Sequence, residues 1–118
     1  MRNNKLSKQA VEFILTRDLE ELAYLTGTDV SRNFGANKTY LGQIFEADQH
    51  ISIDKFILRE KLHRAAFILE KGPEITVEEL SAKLGFLRTE HFIEEFEKYF
   101  AIKPGNYQNL KRQSKNQS

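Results

Sequence analysis

Apolar residues recur along the chain at helical spacing, and no stretch alternates as a strand does. Ala10, Phe13 and Ile14, then Leu19, Leu22 and Leu25, predict one or two N-terminal helical segments, bent or broken near Asp18. Gly27 reads as their end, and Thr28 as the cap of a short helix over 29–34. Gly35 supplies a turn. Asn37, whose side-chain oxygen can accept from a free amide at a helix start, opens a second helix over 38–48. Ser52 can cap a long helix over 53–71, in which Phe56, Ile57, Leu62, Ala65, Ile68 and Leu69 form one apolar stripe. That helix spans roughly 28 Å at 1.5 Å per residue. Gly72-Pro73 stops it, because proline lacks the amide that would continue the ladder.

Thr76-Val77-Glu78-Glu79 reads as a reciprocal capping box, with the threonine hydroxyl and the glutamate carboxylate each satisfying a free amide. The short helix after it runs to Leu84 and ends at Gly85. A further helix carries Phe92, Phe96 and Phe100, spaced by four, a stripe expected in a core and not as a base-stacking platform. Pro104 opens a last short helix with Tyr107 and Leu110; Ile102 and Tyr107 are expected to close the same core, and the polar tail from Lys111 to fray.

Short helix, glycine turn, longer helix: the order occurs twice, over 29–48 and over 77–99. Gly35 precedes Phe45 by ten residues, and Gly85 precedes Phe96 by eleven. The expected fold is therefore all-α, two helix-turn-helix subdomains joined by a long linker helix. Residues 1–51 hold an N-terminal helical segment and the first helix-turn-helix, 52–72 the linker, and 73–118 the second helix-turn-helix and the tail.

Composition narrows the chemistry. With 118 residues, 40% of them hydrophobic and nine of them Phe, the chain can bury a core, as one domain or two small subdomains. It has no cysteine, which excludes disulfides, zinc ribbons and thiol catalysis. No apolar run approaches the ~20 residues of a membrane span, and the start MRNNKLSK lacks the apolar stretch of a signal peptide, so a cytoplasmic protein is expected. His50, His63 and His91 have no ligand-like spacing, so no metal is expected. No nucleophile motif, phosphate loop or cofactor fingerprint occurs, which predicts a non-enzyme without a cofactor. Glu94 and Glu95, adjacent on a helix, diverge by about 100° and are no catalytic carboxylate pair. Eighteen basic and seventeen acidic residues give a net charge of +1, low for a nucleic-acid binder, although a local basic face is compatible with it.

The second copy carries a family signature. Leu80-Ser81-Ala82-Lys83-Leu84-Gly85-Phe86, Phe92-Ile93-Glu94-Glu95-Phe96-Glu97 and Ala101-Ile102-Lys103-Pro104 follow one another in the order and spacing of the C-terminal signature of AraC-type transcription regulators, which the chain resembles. That signature places an apolar residue and Ala before a Gly-Phe pair, then an F-x-x-x-F-K run, then a G-x-x-P end. Upstream, Tyr40-Leu41-Gly42-Gln43-Ile44-Phe45 resembles the first recognition helix. Leu62-His63-Arg64-Ala65 resembles the linker helix, with Lys61 in place of the usual Arg. The resemblance covers residues 22–110. Glu46 and Glu97 stand where Lys is usual, His50 and Ala101 where Gly is usual, and Ser31 and Ser81 where small Ala is usual.

The resemblance implies sequence-specific binding of double-stranded DNA and transcription regulation. The two recognition helices would enter successive major-groove segments about one turn apart, ~34 Å. It implies base-facing roles for Thr39, Gly42 and Gln43: Gln43 can bond bidentately to adenine, and Thr39 can touch a thymine methyl. Lys38, with Arg32 and Tyr40 nearby, can meet phosphates. In the second copy the matching positions are Glu90, His91 and Glu94, with Arg88 and Thr89 at the helix start, and a glutamate there can accept from cytosine N4. The acidic second helix and near-zero net charge leave another reading open. In that reading the helix-turn-helix pair is repurposed to bind a protein such as RNA polymerase or another regulator.

Overall fold

Side-chain caps mark the starts of five of the helices. The computed structural model describes residues 4–116, and its helices are α1 (Asn4–Leu15), α2 (Leu19–Ala23), α3 (Gly27–Asn33), α4 (Lys38–Gln49), α5 (Ile53–Lys71), α6 (Val77–Lys83), α7 (Thr89–Phe100) and α8 (Pro104–Asn116). No strand occurs among the described residues. The break near Asp18 is a capping box: Asp18 Oδ1 accepts from the Glu21 N–H at 2.8 Å, and Glu21 Oε1 accepts from the Asp18 N–H at 3.3 Å.

The helix α3 starts two residues earlier than expected. Thr26, not Thr28, is its cap, with Asp29 returning the bond to the Thr26 N–H. Gly27 terminates nothing; it is the buried first residue of α3, and its N–H donates to Asp54 Oδ1 of α5 at 2.9 Å. Asn37 caps α4 and Ser52 caps α5 as expected, accepting from the Tyr40 and Lys55 amides. Thr76 caps α6, but its box is one-sided. The Thr76 hydroxyl accepts from the Glu79 N–H and itself donates to the Glu79 carboxylate at 3.0 Å, so that carboxylate does not cap the Thr76 amide.

Two compact units, Met1–Glu60 and Lys61–Ser118, divide the chain, and the boundary falls inside the continuous helix α5. In the first unit Ile14, Leu22, Val30, Leu41, Phe45 and Ile57 form the buried core, with Phe56 edge-on to Phe45. In the second unit Phe92 and Phe96 are fully buried and Phe100 half-buried. Tyr107 packs on Phe96 and Phe100, as expected of a residue closing that core, and Ile102 is half-buried. Burial and the nearby Glu70 raise the Tyr107 pKa. Lys61 lies half-buried with Nζ 5.8 Å from the centre of the Phe86 ring, and its burial pulls its pKa below 10.5.

The two copies share their turns in detail. Gly35 and Gly85 have φ of +59° and +82°. Around them Gly35 N–H donates to Arg32 O and Ala36 N–H to Ser31 O, while Gly85 N–H donates to Ala82 O and Phe86 N–H to Ser81 O. Both are Schellman closures, which need a left-handed residue and favour glycine. One residue more separates α6 from α7 than separates α3 from α4, and in that longer turn Leu87 is fully exposed.

The last helix corrects another expectation. α8 runs thirteen residues to Asn116 instead of fraying after Lys111; the final two residues of the expected tail lie outside those described. Its anchors are polar. Arg112 donates to Leu69 O at 3.1 Å and to Gly72 O at 2.9 Å, covering carbonyls left open at the end of α5, and Gln108 donates to Ile75 O.

Candidate nucleic-acid interface

In the first unit, Leu41 and Phe45 bury one face of α4 in the core. The helical period then sends positions 38, 39, 42, 43 and 46 to the other side. Lys38, Thr39, Tyr40 and Gln43 are exposed and Gly42 half-exposed. Lys38, Thr39, Gly42 and Gln43 line one shallow open depression, together with Gly27, Glu46 and the start of α5 at Ser52, Ile53 and Asp54. Arg32 on α3 and Tyr40 do not line it. The Arg32 guanidinium, largely exposed, pairs with Asp29 at 3.6 Å.

The sequence reading does not single out Asp54, Ser52 or Glu46 as parts of this surface. Asp54 joins it by capping an amide 27 residues upstream, and no local spacing signals such a contact. Glu46 is legible only as a departure from the family's lysine.

In the second unit, Phe92 and Phe96 seat α7 in the same manner, leaving Glu90, His91, Glu94 and Glu97 exposed and Thr89 half-buried. The glutamates separate into two groups. Glu95, mostly covered, lies 3.6 Å from His91 and 3.9 Å from Lys98. Glu90, Glu94 and Glu97 form the outer stripe, with Arg88 3.9 Å from Glu90. Arg88 occupies the N-cap without a side-chain cap bond, where α4 has Asn37. The surface of α4 thus offers a cation, a hydroxyl and an amide beside one carboxylate, Glu46, whereas that of α7 offers mainly carboxylates.

The sequence matches the profile of a family described as "Helix-turn-helix domain" over residues 30–110. Among curated proteins it is 28% identical over 79 residues to the Msm operon regulatory protein of Streptococcus mutans, covering 67% of this chain and 28% of that protein. It is 31% identical over 88 residues to the uncharacterized HTH-type transcriptional regulator YtdP of Bacillus subtilis, covering 75% of this chain and 11% of that protein. The chain thus spans less than a third of the length of these relatives. Among solved structures, the C-terminal domain of AraT, a response regulator from Geobacillus stearothermophilus, superposes with a TM-score of 0.79 at 19% identity, covering 93% of this chain and 88% of that one. An AraC-type DNA-binding-domain regulator from Chromobacterium violaceum superposes at 0.80 and 19% identity, covering 92% and 93%. These last two likenesses are likenesses of fold.

Proposed function

The chain belongs to the AraC-type helix-turn-helix domain family, and we infer that it binds double-stranded DNA sequence-specifically as a transcription regulator. The observation that carries this is the outer face of α4, where Lys38, Thr39, Gly42 and Gln43 share one exposed surface. A helix docked in the major groove reads bases with such positions and touches the backbone with its flanks.

Each residue takes a role that its chemistry allows. Gln43 donates to adenine N7 and accepts from its N6 amino group. Thr39 offers a methyl to thymine. Lys38, with Arg32 and Tyr40, meets phosphates, and these contacts supply affinity without sequence information. In the second unit Arg88 and Thr89 meet the backbone, Glu90, His91 and Glu94 take the base-facing positions, and Glu90 or Glu94 accepts from cytosine N4. The carboxylate stripe makes this second contact the weaker of the two, since each glutamate near a phosphate is repelled and must shed water. As a regulator the protein works in the cytoplasm, and its effect on transcription passes through RNA polymerase or another regulator.

The test is a pull-down from a pool of randomised duplex DNA at two salt concentrations. A recurrent sequence motif, enriched at low salt and depleted at high salt, is the expected result. No enrichment at either concentration overturns the proposal.

A further inference from the structure

We propose that Gly42 is a specificity-determining position, at which the missing side chain lets the C5-methyl of a thymine approach the backbone of α4. The inference rests on the DNA-binding reading above and names what that surface selects. Of the six glycines, Gly35 and Gly85 have positive φ, Gly27 and Gly72 have neighbours 3.1 and 2.9 Å from where a Cβ would stand, and Gly105 has only an ordinary contact at 3.9 Å. Gly42 has neither a positive φ nor any such neighbour. It is the fifth residue of the twelve in α4, where glycine is less favourable than alanine. Backbone geometry and packing within the unit therefore give no reason for it. Its place on the outer face of α4, beside Lys38, Thr39 and Gln43, points to a ligand outside the chain.

What stands around it gives the ligand chemistry. Gly42 lines the depression with Lys38 and Thr39 one turn before it and Glu46 one turn after, and Ile53 adds an apolar lining. A bare Cα beside a threonine presents carbon to the groove, and the C5-methyl of thymine is the apolar group that the four standard bases place there. Gln43, next in the chain, suits adenine, so the two positions together select A·T pairs in one segment of the groove. A Cβ at 42 fits the protein but occupies the space the methyl needs.

The experiment uses the duplex recovered by selection, with each thymine replaced in turn by uracil, which removes the methyl alone. The wild-type chain should lose about fourfold in affinity at one thymine. Gly42→Ala should melt about 4 °C higher and bind the selected duplex about tenfold more weakly. It should also lose its sensitivity to uracil at that thymine. A variant that keeps both affinity and uracil profile overturns the proposal, as does one that melts lower than wild type. Weaker binding with no uracil-sensitive thymine in the wild type overturns the methyl assignment. A wild-type chain that selects no duplex defeats the DNA-binding reading itself, a result seen before any variant is made.

Discussion

His50 and Ala101 end the two recognition helices in the same left-handed conformation, each with φ of 62° and its N–H donating at 2.8 Å to a glutamate carbonyl four residues back. A Cβ is strained there, more for Ala than for His, whose ring tolerates the region better. Ala101→Gly should therefore stabilise the protein by about 0.5–1 kcal/mol, with a smaller gain for His50→Gly, measured by urea unfolding. The family resemblance marks both residues as departures from glycine, but the conformation that makes glycine useful becomes visible only with the backbone. Ser31 and Ser81 are a second matched pair. Ser31 Oγ donates to Thr28 O at 2.9 Å, whereas buried Ser81 Oγ has no partner among the described residues. Ser81→Ala should then be more favourable than Ser31→Ala by about 1–2 kcal/mol in the same assay, since an unpaired buried hydroxyl retains its desolvation penalty. Sequence alone makes the two serines look equivalent.

At the scale of elements, local signals carried most of the reading. Asn37, Ser52, Pro104, Gly35 and Gly85 act on their own neighbours, and the helices they bound lie close to where spacing and capping predict them. The misses have two causes. At α3 the Thr26–Asp29 capping box is local and competes with Thr28, and Asp54 adds a bond to the Gly27 amide from far along the chain. The helix α8 persists past Lys111, despite a polar composition, because Arg112 spans the open end of α5 and Gln108 holds the following loop. Arg112→Ala should cost about 2 kcal/mol of stability, the scale of charge-assisted bonds to carbonyls partly withdrawn from water. Arg112→Lys should recover only part of it, because one ammonium cannot reproduce the planar fork. Equal stability of all three proteins in urea titrations would show that α8 is held by Tyr107 packing alone.

For the whole molecule, DNA binding as proposed requires a chain of net charge +1 to hold a polyanion through a local surface. The two recognition helices differ in this respect. On α4 the exposed surface carries Lys38 and Glu46 with neutral hydrogen-bonding groups, and on α7 it carries three glutamates, Glu90, Glu94 and Glu97. The positions were legible in the sequence from the repeat and the family signature; the contrast was legible only in part, because the spacing does not reveal that Glu95 is engaged by His91 and Lys98. Glu97→Lys should raise affinity for duplexes of any sequence and steepen the dependence of log K on log salt by about one unit, read from titrations across salt. An unchanged slope would mean that α7 stays off the backbone, as a protein-binding role for the second unit requires. The central claim, that α4 reads the DNA, is tested most directly by fluorescence anisotropy titrations of wild type, Gln43→Ala and Lys38→Ala. Each is titrated with the selected duplex and with a scrambled one, across a range of salt. Gln43→Ala should lose about 1–3 kcal/mol on the selected duplex and little on the scrambled one, while Lys38→Ala should weaken both alike and flatten the salt slope by about one unit. Unchanged binding by both variants would contradict the account.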